Sequence, residues 1–155
     1  MARLVDLVTG LGYGDPWTYI NSGNVVFDAA GSRRNLESEL GRTFESAFRF
    51  EVTTFVRSAA ELRKVVALHP FDVADSDTYF VTFLKSTPSV TNRHALEQMS
   101  NEFDTLVVER RDVHWRMRGT SMDTRLKTKD WDDIVGRHCS TSRNMNMLLK
   151  LVDRL

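Results

Sequence analysis

Residues 18–28 read TYINSGNVVFD. Two β-prone runs, residues 18–20 and 25–27, flank a polar knot, Asn21-Ser22-Gly23-Asn24. β-branched and aromatic side chains suit strands, while Gly and Asn tolerate the positive φ that a tight turn demands. The stretch is expected to be a hairpin.

Upstream, Leu4, Leu7, Val8 and Leu11 repeat at i, i+3, i+4, i+7, a helix stripe that Gly12 is placed to end. Gly14-Asp15-Pro16 then reads as a loop, and residues 28–32 as another. Downstream, Leu36, Leu40, Phe44 and Phe48 recur every four residues and predict a second helix. Residues 52–56 read as a strand. Ser58-Ala59-Ala60-Glu61 fits a capping box that opens a helix through Leu62, Val65 and Val66, closed by His69-Pro70.

The rest of the chain has a similar rhythm. Residues 79–84 form a continuous apolar run, expected to be a strand buried on both faces. A helix through Leu96 and Met99 follows, then a strand at 106–109 and a turn at Arg110-Arg111-Asp112. In the strand at 113–118, Val113, Trp115 and Met117 face one way, and His114, Arg116 and Arg118 the other. Asp130 or a neighbour is expected to cap a short helix through Trp131, Ile134 and Val135. A last helix carries Met145, Leu148, Leu151, Val152 and Leu155 on one face. Each half shows helix, hairpin, helix, and a strand precedes the second set. The fold expected is α+β, with two ferredoxin-like (βαββαβ) halves, the first without its initial strand. The halves are residues 1–72 and 73–155, with a seam near the acidic stretch 70–77.

At 155 residues with 41% hydrophobic side chains, the chain has enough apolar content for a core and too much for disorder. Its 21 basic and 21 acidic groups balance, yet residues 109–155 carry 11 basic against 7 acidic. That bipolarity suits an anionic partner at the C-terminal end, or a self-complementary homodimer. One cysteine, Cys139, excludes an internal disulfide and fits a reducing compartment. The start, MARLVDLVTGLG, lacks the pattern of a signal peptide, and no apolar run approaches the ~20 residues that span a bilayer. A cytoplasmic location without membrane association is expected.

Residues 10–28 (GLGYGDPWTYINSGNVVFD), 52–71 (VTTFVRSAAELRKVVALHPF), 79–84 (YFVTFL) and 140–151 (STSRNMNMLLKL) occur in an order that resembles an uncharacterised, mainly bacterial family, domain of unknown function 1697. The resemblance implies two α+β, ferredoxin-like halves and supplies no catalytic residues. Members usually start with a strand of LLRGINVGG character, whereas this chain begins at the first helix. The third and fourth strands of that half are then expected to lack a partner, unless an upstream start or another chain fills the gap. Met145 and Met147 stand where the family often has Trp and Thr, which removes an aromatic from that run.

Four places draw a functional reading beside a structural one. Asn21, Ser22 and Asn24 form either a plain turn or a small nest of amides for an anion or base. Ser140-Thr141-Ser142-Arg143-Asn144 reads as an N-cap, to which Arg143 and Asn144 add a phosphate or carboxylate contact. His114, Arg116 and Arg118, reinforced by nearby Arg and Lys, read as a solvated face paired with Asp130, Asp132 and Asp133, or as a nucleic-acid surface. The stacking aromatics of RNA-binding sheets are absent from that face. His138-Cys139 lacks an orienting acid, and the four His show no ligand spacing. No catalytic residue, metal or cofactor is therefore assigned. The leading functional reading is a non-enzymatic module for an anionic ligand or nucleic acid. The alternatives are an enzyme on a small phosphorylated or carboxylated metabolite, with Arg143 and Asn144 as clamps, and a structural interaction protein.

Overall fold

The computed structural model describes residues 1–20 and 23–155, and its contacts gather into two units, Met1–Arg57 and Ser58–Leu155. The stretch 70–77 lies inside the second of these. The described residues form six α-helices and two antiparallel sheets, so the α+β class holds.

In the first unit the leucine stripe folds as read, into α1 (Ala2–Gly10). Val8 is fully buried and Leu4, Leu7 and Leu11 pack beside it, while Gly12, at φ +82°, turns the chain away. β1 (Gly14–Thr18) and β2 (Val25–Asp28) pair antiparallel, with Trp17 opposite Val26. Gly14-Asp15-Pro16 is thus strand rather than loop. The register slips between Gly14 and Trp17, Asp15 takes φ +43°, and Pro16 has no N–H to give. A bulge absorbs all three features, which is why local punctuation misleads here. α2 (Arg33–Phe48) starts at Ser32, whose hydroxyl accepts from Asn35 N at 3.2 Å, and ends at Arg49 in the left-handed region.

Residues 52–56 are not a strand. They enter no ladder. Val52 and Val56 still pack on the core of Val8, Leu40 and Phe44, so the apolar alternation is real without a paired neighbour. The Val56 N–H instead donates to Glu37 Oε1 at 2.9 Å, and Arg33 approaches the same buried carboxylate. A backbone donor away from water needs some acceptor, and a side chain serves in place of a strand.

The second unit opens with α3 (Ala59–Ala67), held by the full capping box: Glu61 N donates to Ser58 Oγ, and Ser58 N to Glu61 Oε2. Next come β3 (Thr78–Leu84), α4 (Val90–Gln98), β4 (Asp104–Glu109), β5 (Asp112–Met117), a 3-10 turn at Ser121–Asp123, α5 (Thr128–Val135), β6 (Ser140–Asn144) and α6 (Met145–Val152). The sheet order is β4-β5-β3-β6, antiparallel throughout, with β3 inside. Tyr79, Val81 and Phe83 on one face of β3 meet Val65 of α3 and Met145 and Leu148 of α6. Leu84, with Leu106, Val108 and Val113, meets Leu96 of α4 and Trp131, Ile134 and Val135 of α5 on the other. The expected burial of β3 on both faces is met.

Two expectations change. Lys127, not Asp130, is the residue before α5, with no side-chain cap; Asp130 sits in the first helical turn, where its charge still suits the positive helix end. Residues 140–144 are a strand rather than a capping loop. Ser and Thr are unremarkable in a strand whose partner is already apolar, and Phe83 opposite Thr141 fixes the register. Asn144 alone performs the capping, accepting from Asn146 N at 2.8 Å.

Candidate functional site

Of the residues singled out in the knot, Asn21 and Ser22 lie outside the described residues. Asn24 serves the hairpin: its carbonyl accepts from Tyr19 N, and its side chain donates to Tyr19 O, both at 3.3 Å. Gly23 takes φ +75°, the conformation the turn needs and glycine permits.

The stripe His114, Arg116, Arg118 is not a solvated face. His114 is 1% exposed, flanked in the ladder by Val81 and Val107, on the sheet face that α3 and α6 cover. Its Nδ1 lies 2.5 Å from Tyr79 Oη. Burial, with the nearby charge of His69 adding to it, pushes the His114 pKa down to about 4, and burial pushes the Tyr79 phenol up to about 12. The pair is therefore neutral across the ordinary pH range. Arg116 lies along the Phe71 ring, 5.3 Å from its centroid, and donates to Asp72 O at 2.8 Å and Thr105 Oγ1 at 2.9 Å. Arg118 is half exposed and meets Asp77 at 3.6 Å. The acids expected to neutralise the stripe are elsewhere, on α5, where Asp133 pairs with Lys129. The alternation was legible, but the partners were not, because neighbouring strands and the loop at 71–77 supply them.

Arg143 lies on that same sheet face, opposite Val81. It donates to Thr141 Oγ1 at 2.7 Å and Ser142 O at 2.8 Å, and burial lowers its pKa. Asn144, next in the chain, caps α6. The ladder does not gather Arg143, Arg116 and Arg118 into one patch: β6 and β5 flank β3 on opposite sides.

Two features went unread. The first is Asp104, 0% exposed. Its carboxylate accepts from Thr124 Oγ1, Trp115 Nε1, Arg125 N and Asn101 Nδ2, at 2.6 to 3.0 Å. Burial alone raises its pKa, but these bonds outweigh it and hold the group below the usual carboxylate value. With four donors satisfied, it ties the β4 start to the segment after the 3-10 turn and has a structural role. Asn101, three residues before it and accepting from Asp104 N, was the local signal.

The second is a half-open cleft of about 240 Å³ where β3 turns into α4. Leu84, Leu96, Ile134 and Val135 line it, the first two almost wholly buried. Lys85, Ser86, Thr87, Ser89 and Cys139 line it as well. One backbone bond and one side-chain bond tie its lining segments together: Lys85 N donates to Cys139 O at 3.0 Å, and Asn92 Nδ2 to Ile134 O at 3.4 Å. Ser89 caps α4, accepting from Asn92 N at 3.1 Å. The run Lys-Ser-Thr-Pro-Ser directly after the apolar strand was the signal available in sequence. It reads as punctuation until the fold brings Cys139 against it.

A family described as a protein of unknown function (DUF1697) matches residues 1–114. The chain belongs to that family. The DUF1697 match includes the hairpin, α3 and β3, and ends within β5. Among solved structures, this DUF1697 chain is similar to the conserved bacterial protein SP0830 from Streptococcus pneumoniae, at 18% identity and a TM-score of 0.70. The similarity covers 100% of this chain and 88% of that one, and at this identity it speaks to the fold alone. No curated protein matches. Among the described residues, no helix is long and apolar enough to cross a membrane, and no group of three or more His, Cys, Asp or Glu is placed to hold a metal ion.

Proposed function

We propose that this protein is a non-enzymatic binding module for a small anionic ligand. The observation that carries this is the cleft at the β3–α4 turn, lined by Lys85, Ser86, Thr87 and Ser89 among others. A cation with neighbouring hydroxyl donors is the usual chemistry for a phosphate or carboxylate. The volume, about 240 Å³, lies just below the range of ~300–1,000 Å³ typical of drug-sized ligands, which favours something small. Arg143 and Asn144 stay in this reading as a second contact point where β6 meets α6.

The nucleic-acid version of the reading is the weaker one. RNA-binding sheets lay aromatic side chains against bases on an open face. Here helices pack on both faces of the four-stranded sheet.

We also infer that the second unit follows the ferredoxin-like plan. In its favour are the order β3-α4-β4-β5-α5-β6, the sheet order β4-β5-β3-β6, and α4 and α5 on one face. The first unit runs α1-β1-β2-α2 and then residues 52–56, and α3 then matches α6 in order, which supports a repeat of residues 1–72 and 73–155. A single cysteine accords with a reducing, cytoplasmic setting.

The test is retention on a phosphate-bearing matrix. The protein should be held at low salt and elute as salt rises, because screening weakens the contact. Lys85→Ala should elute markedly earlier with unchanged circular dichroism. Flow-through of the wild-type protein at low salt would overturn the proposal.

A further inference from the structure

We propose that residues 68–77 are an autoinhibitory strap. They hold Arg116 and Arg118 as an acidic, aromatic peptide of a partner would hold them, and such a peptide displaces them. This surface is separate from the cleft above. The strap reads LHPFDVADSD, with three aspartates and no lysine or arginine. It joins α3 to β3 and forms neither helix nor strand.

Its contacts with the sheet have the character of a bound peptide. The Phe71 ring meets Tyr79 edge-on, with 5.0 Å between centroids, and the Arg116 guanidinium lies over it at 5.3 Å. The Asp72 carbonyl accepts from Arg116 Nη1 at 2.8 Å. The Asp77 carboxylate meets Arg118 at 3.6 Å and accepts from Ala74 N at 2.9 Å. Ring, carbonyl and carboxylate are groups that a peptide brings. A nucleic acid needs a series of cations along its backbone, and this stripe offers two arginines.

The strap fits Arg116 incompletely, and that points to a better occupant. Nη2 donates to Thr105 Oγ1 at 2.9 Å and Nη1 to the Asp72 carbonyl. Nε is buried without a hydrogen-bond partner among the described residues. An orphaned donor on a cation is costly. A carboxylate brings two oxygens and a full charge to the guanidinium fork, where the strap brings one carbonyl oxygen. The strap is also lightly held. Residues 72–76 are all exposed, and Arg118 is half exposed in its ion pair. Such an ion pair and a single cation–ring contact each shift an equilibrium by about tenfold or less.

The test uses the strap's own sequence as the probe. A fluorescein-labelled peptide LHPFDVADSD is titrated with the whole protein and read by anisotropy. Its apparent affinity is reduced by the fraction of molecules whose strap is in place, so weakening the strap must tighten the peptide. Asp77→Asn keeps the side-chain shape and an acceptor for Ala74 N, and removes the charge that meets Arg118. It should tighten the peptide about threefold. Phe71→Ala should tighten it by about tenfold or more. Arg116→Gln should abolish the gain in either background. A single-stranded oligonucleotide should not compete.

Phe71 packs on the core beneath α3 and α6, so Asp77→Asn carries the decision if Phe71→Ala fails to fold. A folded Asp77→Asn protein that binds the peptide no more tightly than wild type would overturn the strap. Binding indifferent to Arg116→Gln would overturn the docking position. Competition by the oligonucleotide as strong as by unlabelled peptide would overturn the peptide class.

Discussion

The two units share a helix–hairpin–helix order but build different sheets. In the first, α1 is followed by a hairpin, α2 and residues 52–56; in the second, α4 is followed by a hairpin, α5 and the strand β6. In Ser58–Leu155 the extended segment is β6, and β3 lies between it and the hairpin β4–β5. In Met1–Arg57 the corresponding segment is residues 52–56, and no described strand joins it to β1–β2. β3 contributes Tyr79, Val81, Phe83 and Leu84 to two cores at once. The first unit has one core, and helices α1 and α2 supply its three buried residues. A two-stranded sheet is marginal in water unless helices pack against it. The comparison teaches that helices and hairpin suffice to gather a core, while a central strand is what lets a sheet be buried on both sides. The second unit should accordingly be the more stable.

The strongest way to break that ranking is Asp104→Ala. It leaves four donors without their acceptor at a site closed to water. The expected loss is about 4 kcal/mol, because hydrogen bonds to a charged group are worth more than neutral ones and orphaned donors add a penalty. Chemical denaturation measures it, and amide exchange locates it. If β4 and β5 amides keep their protection, Asp104 is not the tie described. The depressed carboxyl pKa gives a sign as well. This contribution is complete above the usual carboxylate range and is lost as pH falls through the lower folded value.

A second break comes from pH in a different window. The folded His114 pKa of about 4 lies below the ordinary 6.5, so the unfolded chain binds the proton more readily. Stability should therefore be flat above about pH 6.5 and fall by about 3 kcal/mol between there and pH 4, as one buried group of this shift requires. His114→Gln should flatten that slope. Denaturation midpoints at several pH values decide it; an unchanged slope in the variant would assign the loss to other groups.

His114 also marks the limit of what was legible. The alternation along β5 was visible, and so was the double-sided burial of β3. A strand paired directly to a doubly buried strand shares its faces, so the same signal argued against solvent at His114. What could not be read was the cover: Phe71, Asp72 and Asp77 meet the Arg116–Arg118 side from a loop some forty residues away. Local chemistry predicted α1, the Ser58 box and α6 because caps and helix stripes are short-range. It missed the β1 bulge and the β6 strand because ladders are tertiary, and polar runs such as STSRN accept either fate. The cleft lay beyond reach for the same reason. Part of its lining is the contiguous run 84–89, but the rest comes from α4, α5 and Cys139.

The smallest expected effect sharpens the division between units most cleanly, because each unit has a serine cap. Ser32 accepts one bond, from Asn35 N. Ser58 takes part in two, accepting from Glu61 N while its own N–H donates to Glu61. Ser58→Ala removes the hydroxyl acceptor and leaves the Glu61 contact, which Arg111 also holds at 2.5 Å. Each alanine should thus cost about 1 kcal/mol, the ordinary value of an N-cap, with Ser58→Ala no worse than Ser32→Ala despite the richer motif. Native-state amide exchange gives the readout. Ser32→Ala should lower protection in α2 and β2 and spare β3. Ser58→Ala should lower it in α3 and spare β2. Two losses of similar size in different amides would mean that the units open separately. Equal losses across both sets in either variant would mean that they open as one, and the contrast between the sheets would then have no thermodynamic counterpart.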